Sequence, residues 1–232
     1  MPELQSGHVV QLTAEDLISR ARGLLNRPGR TLLGVTGPPG AGKSTITQLV
    51  DAALGAEAVV VPMDGFHLSN EVLTALSRRE RKGAPDTFDV AGYVSLLRRI
   101  RGREENVYAP RFDREIEQSI GSAQVVPSTV PLVVTEGNYL LSTTDGWPEV
   151  GQLLDEVWYV DVDVDELRRR LVERRIGHGH PLGAAREWVE SVDLPNARFV
   201  VEQRERADLI IRLAPTPSGD TGTTRHDLLK EN

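Results

Sequence analysis

The chain has 232 residues, with 27 Lys and Arg against 34 Asp and Glu, a net charge of −7 and no cysteine. That length suits one α/β domain or two small ones, and the lack of cysteine excludes disulfides and thiolate chemistry. An acidic chain with no apolar run near the roughly 18 residues of a membrane span, and no basic start leading into an apolar core, is expected to be cytoplasmic, without nucleic-acid or membrane partners.

Thr13-Ala-Glu-Asp16 has the composition of a helix start, and Leu17, Ala21, Leu24 and Leu25 then share one helical face. "NRPGR" (Asn26 to Arg30) ends it. A buried strand follows over Thr31 to Gly37, then a helix from Lys43 to about Leu54, then a second buried strand over Ala58 to Met63. Asp89 is placed to cap a helix carrying Val90, Tyr93, Val94, Leu97 and Ile100 at helical spacing, closed by Gly102. Further buried strands are expected over Pro131 to Gly137, Glu156 to Val162 and Ala207 to Leu213. Between the last two, helices are expected from Asp165 to Ile176, around Ala184 to Val192, and from Pro195 to about Glu205. Short apolar strands alternating with helices predict an α/β fold, three layers with a mostly parallel central sheet covered on both faces. Residues 1–214 form that one domain, with a helical lid around 165–183. The polar Pro-, Gly- and Thr-rich segment 215–232 is expected to be a disordered tail.

"GPPGAGKS" (Gly37 to Ser44) fits the pattern G-x-x-x-x-G-K-[S/T], which chance would place in roughly one chain of this size per hundred. Here it follows a strand and opens a helix, as phosphate binding requires. The loop residues Gly37, Pro38, Pro39, Gly40, Ala41 and Gly42 can curl backbone N–H groups round a phosphate, and the helix N-terminus adds partial positive charge. Lys43 would reach the β- and γ-phosphates, and Ser44, followed by Thr45, would ligate Mg²⁺. A nucleotide-binding fold follows. No N-K-x-D tetrapeptide occurs, which disfavours a guanine switch.

The chemistry would come from acids at strand tips, because the carboxyl edge of a parallel sheet lines the ligand crevice. Asp64 ends the second strand, and there a carboxylate can take the proton of an attacking hydroxyl. Gly65 would let the chain turn away sharply. Glu136 ends "PLVVTEG" and would orient Mg²⁺ or the nucleophile. Arg168, Arg169, Arg170, Arg174 and Arg175 crowd one helix, which suits a lid closing on phosphates; Arg170 and Arg174, one turn apart, are the candidates for phosphate contact.

"PMDGFHLSNEVL", "RKGAPDTFD" (Arg81 to Asp89), "VYAPRFDR" (Val107 to Arg114) and "VVTEGNYLL" (Val133 to Leu141) together resemble the phosphoribulokinase/uridine kinase superfamily of P-loop kinases. Within it the chain is similar to the nucleoside/nucleotide kinase-like branch, near type I pantothenate kinases. The resemblance covers about residues 15 to 213. It implies an ATP- and Mg²⁺-dependent kinase with a small-molecule hydroxyl acceptor, such as a nucleoside, sugar or related metabolite. Asp64 would be the general base, and Glu136 would act beside Mg²⁺. Arg81 and Lys82 would head the loop of substrate contacts. Phe66 and His67 would wall the acceptor pocket, while Asp113, after the aromatic Phe112 and before Arg114, would hold sugar hydroxyls. The late "RADLII" would run beside the adenine. The chain departs from pantothenate kinases at Asp113 and Arg114, and from uridine kinases at Gly65 and His67. Three alternatives stay open: a pantothenate kinase-like activity, a monophosphate kinase using Arg78, Arg79 and Arg81, and a nucleotide-binding regulatory module. A homodimer is compatible with each.

Overall fold

The computed structural model describes residues 8–214; the expected tail at 215–232 lies outside the described residues. A six-stranded parallel sheet forms the middle layer, in the order β1-β8-β7-β2-β6-β3. Its strands are β1 (Val9–Leu12), β2 (Thr31–Thr36), β3 (Ala58–Pro62), β6 (Leu132–Gly137), β7 (Glu156–Val160) and β8 (Leu209–Leu213). The remaining two, β4 (Asn106–Asp113) and β5 (Gln118–Pro127), make a separate antiparallel hairpin. Neither the hairpin nor β1 is expected from the sequence.

Helix α1 (Ala14–Leu24) starts on a capping box: the Thr13 hydroxyl accepts from the Asp16 N–H at 3.2 Å, and the Asp16 carboxylate accepts from the Thr13 N–H at 2.9 Å. It buries Leu17, Ala21 and Leu24 with Ile46 and Val50 of α2 (Lys43–Leu54) on one side of the sheet. On the other side lie α4 (Val90–Arg101) and α5 (Trp147–Gln152), with Tyr93, Leu97, Trp147 and Tyr139 in the core; α3 (Asn70–Ala75) is a short helix in the loop after β3. Alternate β2 residues serve the two sides: Leu32 faces one cluster, Leu33 and Val35 the other. Each such fully buried Leu or Val contributes about 1.5–3 kcal/mol. The three-layer α/β reading holds.

The arginine-rich helix expected from Asp165 is α6 (Val164–Gly177). Beyond it, the two expected helices form one continuous run: α7 (Leu182–Trp188), a single π turn at Val189–Asp193, and α8 (Leu194–Val201). Pro195 falls in the first turn of α8, as expected, but no loop separates that helix from the one before it. Pro195 lacks the N–H an α-helical interior needs, and the ladder widens just before it, with the Leu194 N–H donating to Val189 O. No helix among the described residues is long and apolar enough to cross a membrane.

β2 and β7 are neighbours in the sheet, and the chain leaves β2 toward β3 on one side but leaves β7 toward β8 on the other. The crevice at the carboxyl ends of these strands is where such a sheet places ligands.

Candidate active site

β2 runs into the loop 37–42, and α2 starts at Lys43. Gly37 has φ +142° and a Cβ there would lie 2.7 Å from Val160 O, so only glycine fits. The Lys43 ammonium donates to Gly37 O at 2.9 Å, Pro38 O at 3.0 Å and Asn138 Oδ1 at 2.7 Å. Burial pulls its pKa down to about 8, against the opposing pull of Glu136 and Asp64. Pro39, Gly40, Gly42, Lys43, Ser44 and Thr45 line a cavity of about 1050 Å³, while buried Ala41 borders a second of about 630 Å³.

Glu136 and Asp64 reach the larger cavity from adjacent strands. Glu136 sits in register with Pro62, and one tight turn (Met63–Phe66) carries Asp64 past the end of β3. The Ser44 hydroxyl lies 3.1 Å from both Glu136 oxygens. Burial raises the Glu136 pKa, while Lys43 and the Ser44 hydrogen bond oppose it. Asp64 accepts from Arg114 at 3.3 Å and lies 3.9 Å from His67 Nε2. Gly65 takes no left-handed φ, contrary to a sharp-turn role. Its reason is close approach: a Cβ there would lie 2.5 Å from Pro110 O of β4.

Beyond Asp64, His67 stacks on Phe88 with ring centroids 4.0 Å apart and meets Phe112 at 4.9 Å. Burial pushes His67 down to about 4 despite Asp64, so it is neutral near pH 7. Lys82 lies 5.2 Å from the Phe112 ring centre and donates to Asn70 Oδ1 at 2.9 Å and Glu117 O at 2.6 Å. Phe112 and Arg114 line the cavity; Asp113 between them does not. Its carboxylate accepts from the Glu115 and Ile116 N–H groups at 2.9 and 3.2 Å, closing the hairpin turn. Phe66 lies in the core against Tyr93, centroids 4.9 Å apart, off the cavity. Arg81 is held by Asp86 at 2.7 Å and is not part of the lining, whereas Arg79 is.

Helix α6 divides its arginines. Leu167 and Leu171 pack on the phosphate loop, where a Cβ on Gly40 would meet Leu171 at 3.2 Å. Arg174 and Arg175 line the larger cavity. Arg174 has no hydrogen-bond or ion-pair partner for its guanidinium among the described residues; surrounding protein lowers its pKa, with Arg114 and Arg175 adding repulsion to that desolvation while Asp193 pulls the other way. Arg170 turns to the smaller cavity, pairing with Glu166 at 2.7 Å and reaching Gly40 O and Ala41 O at 3.4 and 3.3 Å. Arg168 and Arg169 are taken up by Glu190 and Asp165, and by Glu166 and Glu173. Asn138, Trp188 and Asn196 line the larger cavity and are not picked out by sequence reasoning. Asn138 alone had a signal there, two residues past the acid of "TEGNY".

Residues 32–218 match the sequence profile of the Phosphoribulokinase / Uridine kinase family. A crystal structure of a provisionally named fructose transport system kinase from Silicibacter sp. TM1040 superposes with a TM-score of 0.77 at 38% identity, covering 84% of this chain and 98% of that one. A provisionally named uridine kinase of Schizosaccharomyces pombe is 31% identical, over 85% of this chain and 89% of its own. The pantothenate kinase of Agrobacterium fabrum is 26% identical, over 84% and 70%. With this profile match over most of its length, and with a glycine-rich loop, two strand-tip acids and an arginine-rich helix round one crevice, the chain belongs to the phosphoribulokinase/uridine kinase family of P-loop kinases.

Proposed function

We propose that the protein transfers the γ-phosphoryl group of ATP to a hydroxyl of a small metabolite. The observation that carries this is the convergence of Lys43, the Ser44–Glu136 pair and Asp64 on one cavity. ATP enters as substrate, its phosphates on the loop 37–42 and the N-terminus of α2, its base toward the smaller cavity by Asp161, Arg170 and Arg212. Ser44 Oγ and the Glu136 carboxylate form an all-oxygen pair suited to Mg²⁺, which when bound would neutralise phosphate charge. The protonated Lys43 exchanges its carbonyl partners for phosphoryl oxygens. Asp64 orients the acceptor hydroxyl and takes its proton. The acceptor oxygen bonds to the γ-phosphorus as the bond from that phosphorus to the β–γ bridging oxygen breaks, and ADP leaves. Arg174, with no acid of its own, pairs with the oxygens of the group in flight.

Replacing Asp64 by Asn removes the base and keeps the shape. It should lower kcat by about 10²–10⁴-fold with nucleotide affinity retained, measured by ATP-analogue titration and by mass spectrometry of products that gain a phosphoryl group. Undiminished transfer by Asp64→Asn would exclude Asp64 as the base.

A further inference from the structure

Charges in the larger cavity fall into two groups. The charged groups acting on Lys43 are Glu136, Asp64 and Arg174; those acting on Lys82 are Glu117 and Arg79. Between the groups stands the aromatic layer of His67, Phe88 and Phe112. Phosphoryl transfer accounts for the first group. It gives the second nothing to do.

That second group is under-neutralised. Lys82 is half-buried, and its two partners are an amide oxygen and a backbone carbonyl; among the described residues no carboxylate forms an ion pair with its ammonium. Arg79 lines the same wall, and its guanidinium has no hydrogen-bond or ion-pair partner among the described residues. Its neighbours Arg78 and Arg81 do have one, sharing Asp86. Elsewhere in the cavity Arg114 pairs with Asp64 and Arg175 with Asp193, while Lys43 and Arg174 belong to the first group, which phosphoryl transfer already uses. His67, neutral near pH 7, supplies no charge to either side. Half-buried Lys82 and exposed Arg79 stand one turn apart, the Lys82 N–H donating to Arg79 O at 3.3 Å, and the one acid acting on Lys82, Glu117, leaves the pair with a net positive charge that an anion joining them would neutralise. A neutral sugar or nucleoside would leave that charge in place. An oxyanion would neutralise it, through charge-assisted hydrogen bonds from both.

We propose that the acceptor is itself an anion: a hydroxylated small molecule whose carboxylate or phosphate is received by Lys82 and Arg79, beyond the His67–Phe112 wall, while its hydroxyl faces Asp64. This rests on the kinase reading above. It makes Lys82 and Arg79 specificity-determining residues, and it assigns the aromatic layer to the carbon skeleton between the two polar ends.

The minimal probe is inorganic phosphate, titrated by calorimetry into the enzyme saturated with Mg²⁺ and a non-hydrolysable ATP analogue, so that the nucleotide loop is filled. Saturable binding should appear and should weaken about tenfold or more in Arg79→Gln and in Lys82→Met. Arg79 is exposed and has no hydrogen-bond or ion-pair partner among the described residues, so its loss should leave the fold intact, whereas Lys82 also ties α3 to the hairpin turn. Absence of saturable binding, or binding that Arg79→Gln and Lys82→Met leave unchanged, would overturn the proposal. Transfer from ATP is then compared for glycerate and glycerol, ribose 5-phosphate and ribose, uridine monophosphate and uridine. The charged member should have the higher kcat/KM, and the glycerate and ribose 5-phosphate arms separate carboxylate from phosphate. Preference for the neutral members would refute the anionic acceptor and keep the kinase. Phosphate binding lost in the variants, with no transfer to any compound, would count against the kinase reading and leave the anion pocket standing.

Discussion

Lys43 sits among three neutral oxygens, which hold its ammonium but do not repay its desolvation, and its pKa falls to about 8. Phosphate binding needs the charged form. The fraction charged declines as pH rises through that value, so kcat/KM for ATP should fall on the alkaline side with a midpoint near it. Bound phosphates favour the ammonium, so the corresponding limb of kcat should lie higher. Asn138→Asp would put a carboxylate where an amide oxygen stands 2.7 Å away, and should move the kcat/KM limb upward; a pH series on both proteins measures it. Lys43, Ser44, Asp64 and Glu136 were legible in the sequence because glycine spacing and strand tips fix where they must lie. Asp113 and Phe66 were not. Alternate residues of a strand point to opposite faces, so Phe112 meets His67 at the cavity while its neighbour Asp113 turns to the hairpin backbone. Nothing in the linear order says which of two adjacent residues is which.

Among the elements, the buried parallel strands declared themselves by continuous apolar runs, whereas the hairpin did not. β4 and β5 alternate, carry Pro110 and Pro127, and leave Tyr108 and Val125 exposed opposite one another. Yet this hairpin brings Phe112 and Arg114 to the larger cavity and packs on the turn that carries Asp64. Gly65→Ala would drive a methyl to within 2.5 Å of Pro110 O, a backbone atom that cannot swing aside. It should destabilise the fold by about 1–3 kcal/mol and lower kcat as well, read from urea unfolding and initial rates. Helical spacing likewise grouped Arg170 with Arg174 but could not show that the phosphate loop lies between their destinations. The Gly40 and Ala41 carbonyls intercept Arg170, and only Arg174 reaches the larger cavity.

For the molecule as a whole, the edge of the sheet away from the crevice is fastened by Glu156. Its buried carboxylate accepts from Arg20 Nε at 2.7 Å, from Arg27 and from Trp158 Nε1 at 2.7 Å, joining β7 to α1 and the turn after it. Burial pushes its pKa up, but the hydrogen bonds from Trp158 and Arg20 and the arginine charges outweigh that, leaving it lowered. A carboxylate so depressed stabilises the fold above its unfolded value of about 4.3, and that contribution disappears as pH falls through the folded pKa. Glu156→Gln should destabilise by about 3 kcal/mol at pH 7 and by much less at acid pH, measured by urea titrations at both.

The pairing of β1 with β8 sets an order of events on the ribosome. Val9 to Leu12 align with Ile210 to Leu213, and β1 has no other neighbour in the sheet. The first strand translated must wait for the last before its backbone groups find partners. A chain released after Ala207 should keep Thr31 to Val160 protected from protease while Val9 to Leu12 are cut readily. Addition of Asp208 to Ala214 should close that window, because vectorial synthesis completes the sheet only with its final strand.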